Sequence, residues 1–406
     1  MRIRKVAVIF LSTVFVIGSI SGCGSASQGA TTAAGNSSSA SKSAGAAGND
    51  SIRFALIAAM TGDNAACGLQ EQYGCQIAVD EINAAGGING KKIAFDTFDD
   101  QNNSNQTVIC AQKIAADGNY RFVIASNSSG CSQAAYPTLL AANLPFLSGV
   151  NTADFMTNKG FKMYMRACAR DSIQIEQQCQ LAIDKGYKNI AIFYTTAETD
   201  TTNFQLASKL FKEKGINVVA SAQIDPSTEK DFSSAITTFR GAKADCVIFS
   251  CEYSPAALFV KQAAALGWKD YGRIGSAGTS NSQLIEIAGD SAEGFISVAS
   301  FCPDTSAPGV NENKKKFVES YKTYSKGTLP GEWSAGNYDL IFMLKDALSN
   351  PEAADLKGQE LVDWIKKNEV YKGGVMVDID FDDNGDNTLA KVQPMQAKGG
   401  AFVAVQ

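Results

Sequence analysis

The chain has 406 residues, 36 Lys and Arg against 41 Asp and Glu, a net charge of −5, and no histidine. The missing histidine excludes Ser-His-Asp catalysis, most zinc sites and most acid–base chemistry at neutral pH. A mildly acidic balance without basic clusters argues against nucleic acid as a partner.

In chain order, the first element is a targeting segment. Met1-Arg2-Ile3-Arg4-Lys5 is cationic, and 6–17 is an apolar run broken only by Ser12 and Thr13. Such a run is short for a membrane span and fits the apolar region of a secretory signal. Ile20-Ser21-Gly22-Cys23 follows directly and resembles the bacterial lipobox. That resemblance implies a signal peptide over 1–22 and a diacylglycerol on the Cys23 sulfur, anchoring the chain to the outer face of the bacterial cell membrane. Apart from Cys23, Gln28, Asp50 and one Lys, residues 23–50 are Ser, Ala, Gly, Thr and Asn without apolar periodicity, and are expected to be a flexible tether. As a Gly/Ser coil it reaches roughly 30 Å.

The body that follows, about 355 residues, is too long for one ordinary core and suits two domains. Its periodicity alternates. Strands are expected at 52–59, 93–98, 122–125 and 145–147, with helices at 70–84, 105–117 and 132–142. After a crossing near 166–170 the pattern restarts. Strands fall at 189–194, 218–222, 246–249 and 273–275, and helices at 173–185, 203–214, 232–240 and 256–266. Strands alternating with helices of this length make parallel sheets covered on both faces. Two such halves are two α/β, doubly wound lobes, whose crevice lies at the carboxyl ends of the strands.

Nine cysteines remain beyond Cys23, an odd number, and several lie in apolar stretches. Cys246 and Cys251 bracket one strand and point to opposite faces, so they cannot bond to each other. With no CxxC, buried free thiols are expected, although one pair could bridge.

Several runs carry a family likeness. Phe54-Ala55-Leu56-Ile57 leads to Met60-Thr61-Gly62, and Asp80-Glu81-Ile82-Asn83-Ala84-Ala85-Gly86-Gly87-Ile88-Asn89-Gly90 follows. Ile287-Ala288-Gly289-Asp290-Ser291-Ala292-Glu293-Gly294-Phe295, Gly336-Asn337-Tyr338-Asp339 and Phe381-Asp382-Asp383-Asn384-Gly385-Asp386 extend it along the chain. From Ile52 to Gln406 the chain resembles the leucine/isoleucine/valine-binding protein family. The resemblance implies the type I periplasmic binding fold, with lobes at 51–169 plus 300–373 and at 170–299 plus 374–406, joined by three crossings. It also implies a monomer that hands an amino acid or related small carboxylate to the membrane permease of an ATP-driven (ABC) importer. Neither cofactor nor metal is called for.

The site carries over residue by residue. Ser126-Asn127-Ser128-Ser129-Gly130 joins a strand to a helix, and N–H groups at a helix start suit a carboxylate. Ser129 matches the family's carboxylate-binding serine, with Gly130 beside it, and Val150-Asn151-Thr152 matches the segment adding backbone groups and a hydroxyl. The second lobe departs from the pattern. Where the family commonly has a Tyr-Gly turn, this chain has Thr199 and Asp200, and its ammonium-binding Glu falls on Ala277. A buried ammonium without a carboxylate is costly, so another acid replaces it or the ligand has no ammonium. Glu252 is the first substitute and Asp200 the second.

Asp380-x-Asp382-x-Asn384-Gly385 opens like a calcium loop, but its twelfth position is Lys391, so a hairpin turn is the better reading. A ligand-sensing module working through a separate membrane signalling partner is the alternative function.

Overall fold

The computed structural model describes residues 51–405. The expected signal peptide, tether and acylated Cys23 lie outside the described residues.

The first half alternates β1 (Ile52–Ala58), α1 (Ala65–Ala84), β2 (Ile93–Asp99), α2 (Ser104–Asp117), β3 (Phe122–Ile124), α3 (Ser129–Ala141), β4 (Phe146–Ser148), α4 (Phe155–Asn158) and β5 (Tyr164–Arg166). The strands form one parallel sheet in the order β2-β1-β3-β4-β5. Ala55, Ile57 and Val123 meet α2 and α3 on one face, while Phe54, Leu56 and Ile124 meet α1 on the other. Alternate residues thus serve two cores, as a sheet buried on both sides requires.

The second half runs α5 (Asp171–Asp184), β6 (Asn189–Thr195), α6 (Glu198–Glu213), β7 (Asn217–Ile224), α7 (Ser233–Gly241), β8 (Cys246–Ser250), α8 (Tyr253–Ala265), β9 (Gly272–Gly275), α9 (Gln283–Ala288) and β10 (Ile296–Ala299). The chain then returns to the first lobe for α10 (Glu312–Tyr324), α11 (Glu332–Ser349) and α12 (Gly358–Asn368). The last strands are β11 (Val370–Tyr371), β12 (Ile379–Asp380), β13 (Gln393–Lys398) and β14 (Ala401–Ala404). The second sheet has the order β14-β13-β10-β9-β8-β6-β7 and is parallel except at β13 and β14.

One expectation changes. Residues 374–381 were assigned to the second lobe, yet Val375, Ile379 and Phe381 pack in the first lobe's core and β12 pairs with β11. The third crossing therefore follows this hairpin rather than preceding it. The first crossing follows Arg166, the last residue of β5, and falls in the expected stretch near 166–170.

Close packing holds α11 against the first sheet. A Cβ added at Gly336 would lie 2.4 Å from the Gly149 carbonyl oxygen, and one at Gly149 would lie 2.5 Å from the Gly336 carbonyl carbon. Only glycine at both positions permits this approach. The nine described cysteines are buried and free, with Cys246 and Cys251 in different cores on opposite faces of β8.

The carboxylates of the calcium-like loop are used internally. Asp382 Oδ1 accepts from the backbone N–H groups of Asn384 and Asp386, both at 2.9 Å. Asp386 meets the fully buried Arg166, with Nε 2.6 Å from Oδ1. Arg166 also donates to the carbonyls of Asn151 and Ala153 and to the Thr157 hydroxyl, so a buried charge is fully partnered beside two of the crossings.

Candidate functional site

A cavity of about 380 Å³ lies between the lobes, at the carboxyl ends of β3, β4, β6, β8 and β9. Its size is that of a small-molecule site. Ser129, Val150, Thr152, Thr199, Asp200, Glu252 and Ala277 all line it. Gly130 and Asn151 do not. Gly130 lies in the first turn of α3, behind Ser129. Asn151 is fully buried, its amide donating to the Ser126 carbonyl at 2.7 Å, so it supports the loop from behind.

The first-lobe wall is built by a helix start. The Ser129 hydroxyl accepts from the Ala153 N–H at 3.3 Å and keeps its own proton to donate. No acid stands in the first turn of α3, so its partial positive charge is left for a ligand. Thr152 adds a hydroxyl, and Asn127 and Ser128 complete this polar wall.

The opposite wall and floor carry four carboxylates. Asp171 opens α5, Asp200 sits in the first turn of α6, Glu252 precedes α8, and Glu332 opens α11. Burial pushes each up, Asp171 to about 6, Asp200 to about 7, Glu252 to about 8 and Glu332 to about 7. Hydrogen bonds from Thr152 and Asn203 partly offset burial at Asp171, and the neighbouring Asp200 and Asp171 add to it at Glu252. Glu252 occupies a capping position but makes no capping bond, and its Oε2 is buried without a partner. Glu332, 2 % exposed, accepts from the Ser300 N–H through Oε2 and leaves Oε1 unpartnered. Among the lining residues the one base, Lys230, stands at the mouth and pairs with Asp63 at 3.1 Å.

Contacts across the mouth join the lobes. The Tyr253 hydroxyl donates to the Asp63 carbonyl at 2.8 Å, and the Asn281 amide reaches the Cys67 sulfur at 3.6 Å. At the floor, Gln174 donates to the Ala169 carbonyl at 2.8 Å and accepts from the Ala277 N–H at 3.2 Å.

Residues 51–401 match the periplasmic binding protein family. The chain belongs to that family. Leu/Ile/Val-binding protein homolog 1 of Brucella abortus is 30 % identical over 339 residues, 81 % of this chain and 86 % of that one. Homolog 7 of Brucella melitensis is 29 % identical over 87 % of this chain and 91 % of its own. The fold matches a Streptococcus pneumoniae branched-chain amino acid transporter substrate-binding protein in complex with isoleucine, with TM-score 0.78 and 24 % identity over 87 % of this chain and 98 % of that one. It also matches an ABC transporter solute-binding protein from R. palustris in complex with benzoate, with TM-score 0.77 and 18 % identity over 87 % and 95 %.

As a periplasmic binding protein the chain works outside the cytoplasm and is a binding protein rather than an enzyme. Sequence reasoning found the Ser129 loop, Glu252 and Asp200 but missed Asp171, Glu332 and Trp333, which also line the crevice. Ala169-Arg170-Asp171 and Pro330-Gly331-Glu332 are the available signals, since each places an acid where a helix begins.

Proposed function

We propose that this chain is a lipid-anchored, solute-capturing component of an ABC importer, and that its solute is an amino acid. The observation that carries the reading is the polarity of the crevice: an uncompensated helix start and the Ser129 hydroxyl face a wall of acids. An α-carboxylate fits the Ser129 side, where N–H groups and that hydroxyl donate without a cation. Its α-ammonium then falls beside Asp171, whose backbone N–H donates to the Thr152 carbonyl at 2.7 Å and whose carboxylate meets the Thr152 side chain. Asp171 therefore touches the first-lobe wall directly, and in this reading it takes the ammonium in place of the two substitutes named from sequence. Hinge closure of the lobes would bury both ends of the ligand, and the permease would take it from the closed form.

Ser129→Ala is expected to weaken amino-acid binding by about 1–3 kcal/mol, because a donor to a charged group is lost. Titration calorimetry on the full-length chain reads this directly; unchanged affinity would remove Ser129 from the site. The anchor is tested separately. Cys23→Ser is expected to move the protein from the detergent phase to the aqueous phase or to leave it held by an uncleaved signal. Detergent partitioning and mass that both match the parent chain would refute lipidation.

A further inference from the structure

The crevice holds more carboxyl groups than one α-ammonium can partner. Asp63 and Lys230 pair with each other at the mouth, which leaves Asp171, Asp200, Glu252 and Glu332 without a basic partner among the lining residues. These four fall into two places. Asp171 and Glu332 lie at the floor, Asp171 where α5 leaves the first crossing and Glu332 at the start of α11 against the Ser300 N–H of the second, and each is less than a tenth exposed. Asp200 and Glu252 lie in the second lobe, at the starts of α6 and α8 on adjacent strands β6 and β8.

The floor pair has an occupant in the α-ammonium. The second-lobe pair does not. Asp200 accepts from the Thr195 hydroxyl, but Glu252 makes no capping bond and buries an oxygen that nothing in the protein meets. Two carboxylates placed together, one with a bare oxygen, suit a donor that brings positive charge. A purely aliphatic side chain would leave that oxygen unsatisfied, which is disfavoured in a closed crevice. The lining also has apolar side chains in Ala277, Pro255 and Trp333, which suit a methylene chain.

We propose that the solute is a basic amino acid, whose side-chain amine or guanidinium sits against Asp200 and Glu252. This rests on the amino-acid reading above and goes beyond it by naming the side-chain chemistry.

Norleucine has the carbon chain of lysine without the distal amine, so it isolates the second cation. The full-length chain, purified in mild detergent, is titrated calorimetrically with lysine, ornithine, arginine, norleucine, leucine and benzoate. At least one basic amino acid is expected to bind more than 100-fold tighter than norleucine. Its binding should also release protons, read as a dependence of the heat on buffer ionisation, because the cation ionises the raised acids. Glu252→Gln and Asp200→Asn, each checked for a cooperative melt, are expected to cut the preference to below tenfold. Norleucine or leucine binding as tightly as every basic amino acid would overturn the inference while the amino-acid reading stands. Benzoate binding with no amino acid bound would overturn both. A basic preference that survives in both variants would overturn the assignment to Asp200 and Glu252.

Discussion

Asp386→Asn is expected to destabilise the protein by about 3–5 kcal/mol, the scale for leaving a buried charge without its partner. Arg166 is 0 % exposed and its Nε lies 2.6 Å from Asp386 Oδ1. Asp386 Oδ2 also accepts from the Thr157 hydroxyl at 3.0 Å, and the Arg166 N–H donates to the Gly385 carbonyl at 2.9 Å. The turn after β12 is thereby fastened to the end of β5, just before the chain first leaves the lobe. Asparagine keeps the shape and removes the charge, so the guanidinium loses its counterion and keeps its burial. Urea denaturation should show a lower midpoint with an unchanged slope. A loss under about 1 kcal/mol would mean the pair is worth no more than an exposed one.

Asp171→Asn is expected to act in opposite directions on binding and on stability. Removing the carboxylate beside the ligand's ammonium should cost about 2–5 kcal/mol of amino-acid affinity. The ligand-free protein should become more stable. Burial raises the Asp171 carboxyl from 3.8 to about 6, so between those pH values the folded state holds its proton longer than the unfolded chain. Stability contributed by this group therefore falls as pH rises through that window and stays lowered above it. At pH 7.5 the neutral amide escapes that penalty, a gain on the order of 1–3 kcal/mol. Asp200, Glu252 and Glu332 are shifted the same way, so the parent protein without ligand should melt at a lower temperature at pH 9 than at pH 5. Thermal melts with and without ligand check both halves. An Asp171→Asn protein that loses stability and affinity together would reduce Asp171 to a structural support.

The alternating strands and helices of both sheets were legible because each element carries its own period. Residues 70–84 and 246–249, for example, fall inside α1 and β8. The site was legible in its first-lobe half, since Ser126 to Gly130 announces a helix start after a strand. Asp171 and Glu332 were not. An acid at the start of a helix is ordinary, and nothing in the chain says that α5 and α11 aim theirs at one cavity. Residues 374–381 were misplaced for a related reason. Val375, Val377, Ile379 and Phe381 recur at every second position, which marks a half-buried extended segment but not which lobe's core it enters, and β11 and β12 are two residues each. Glu252 was found because it stands at a strand end, yet its company with Asp200 and Asp171 depends on sheet order.

The central claim is that one crevice holds both ends of an amino acid, the carboxylate at Ser129 and the α3 start and the ammonium at the acids. It is tested most directly by titrating the full-length chain with its tightest amino acid and with two analogues. One analogue lacks the α-amine and the other lacks the α-carboxylate. Deleting the α-amine leaves a buried acid unmatched and deleting the α-carboxylate leaves the N–H groups and hydroxyl of the α3 start unmatched, at about 2–5 kcal/mol each, so both analogues should bind at least 30-fold more weakly. Equal affinity for the analogue without the α-amine would contradict the account, because Asp171 and Glu332 at the floor would then have no part in holding the α-ammonium.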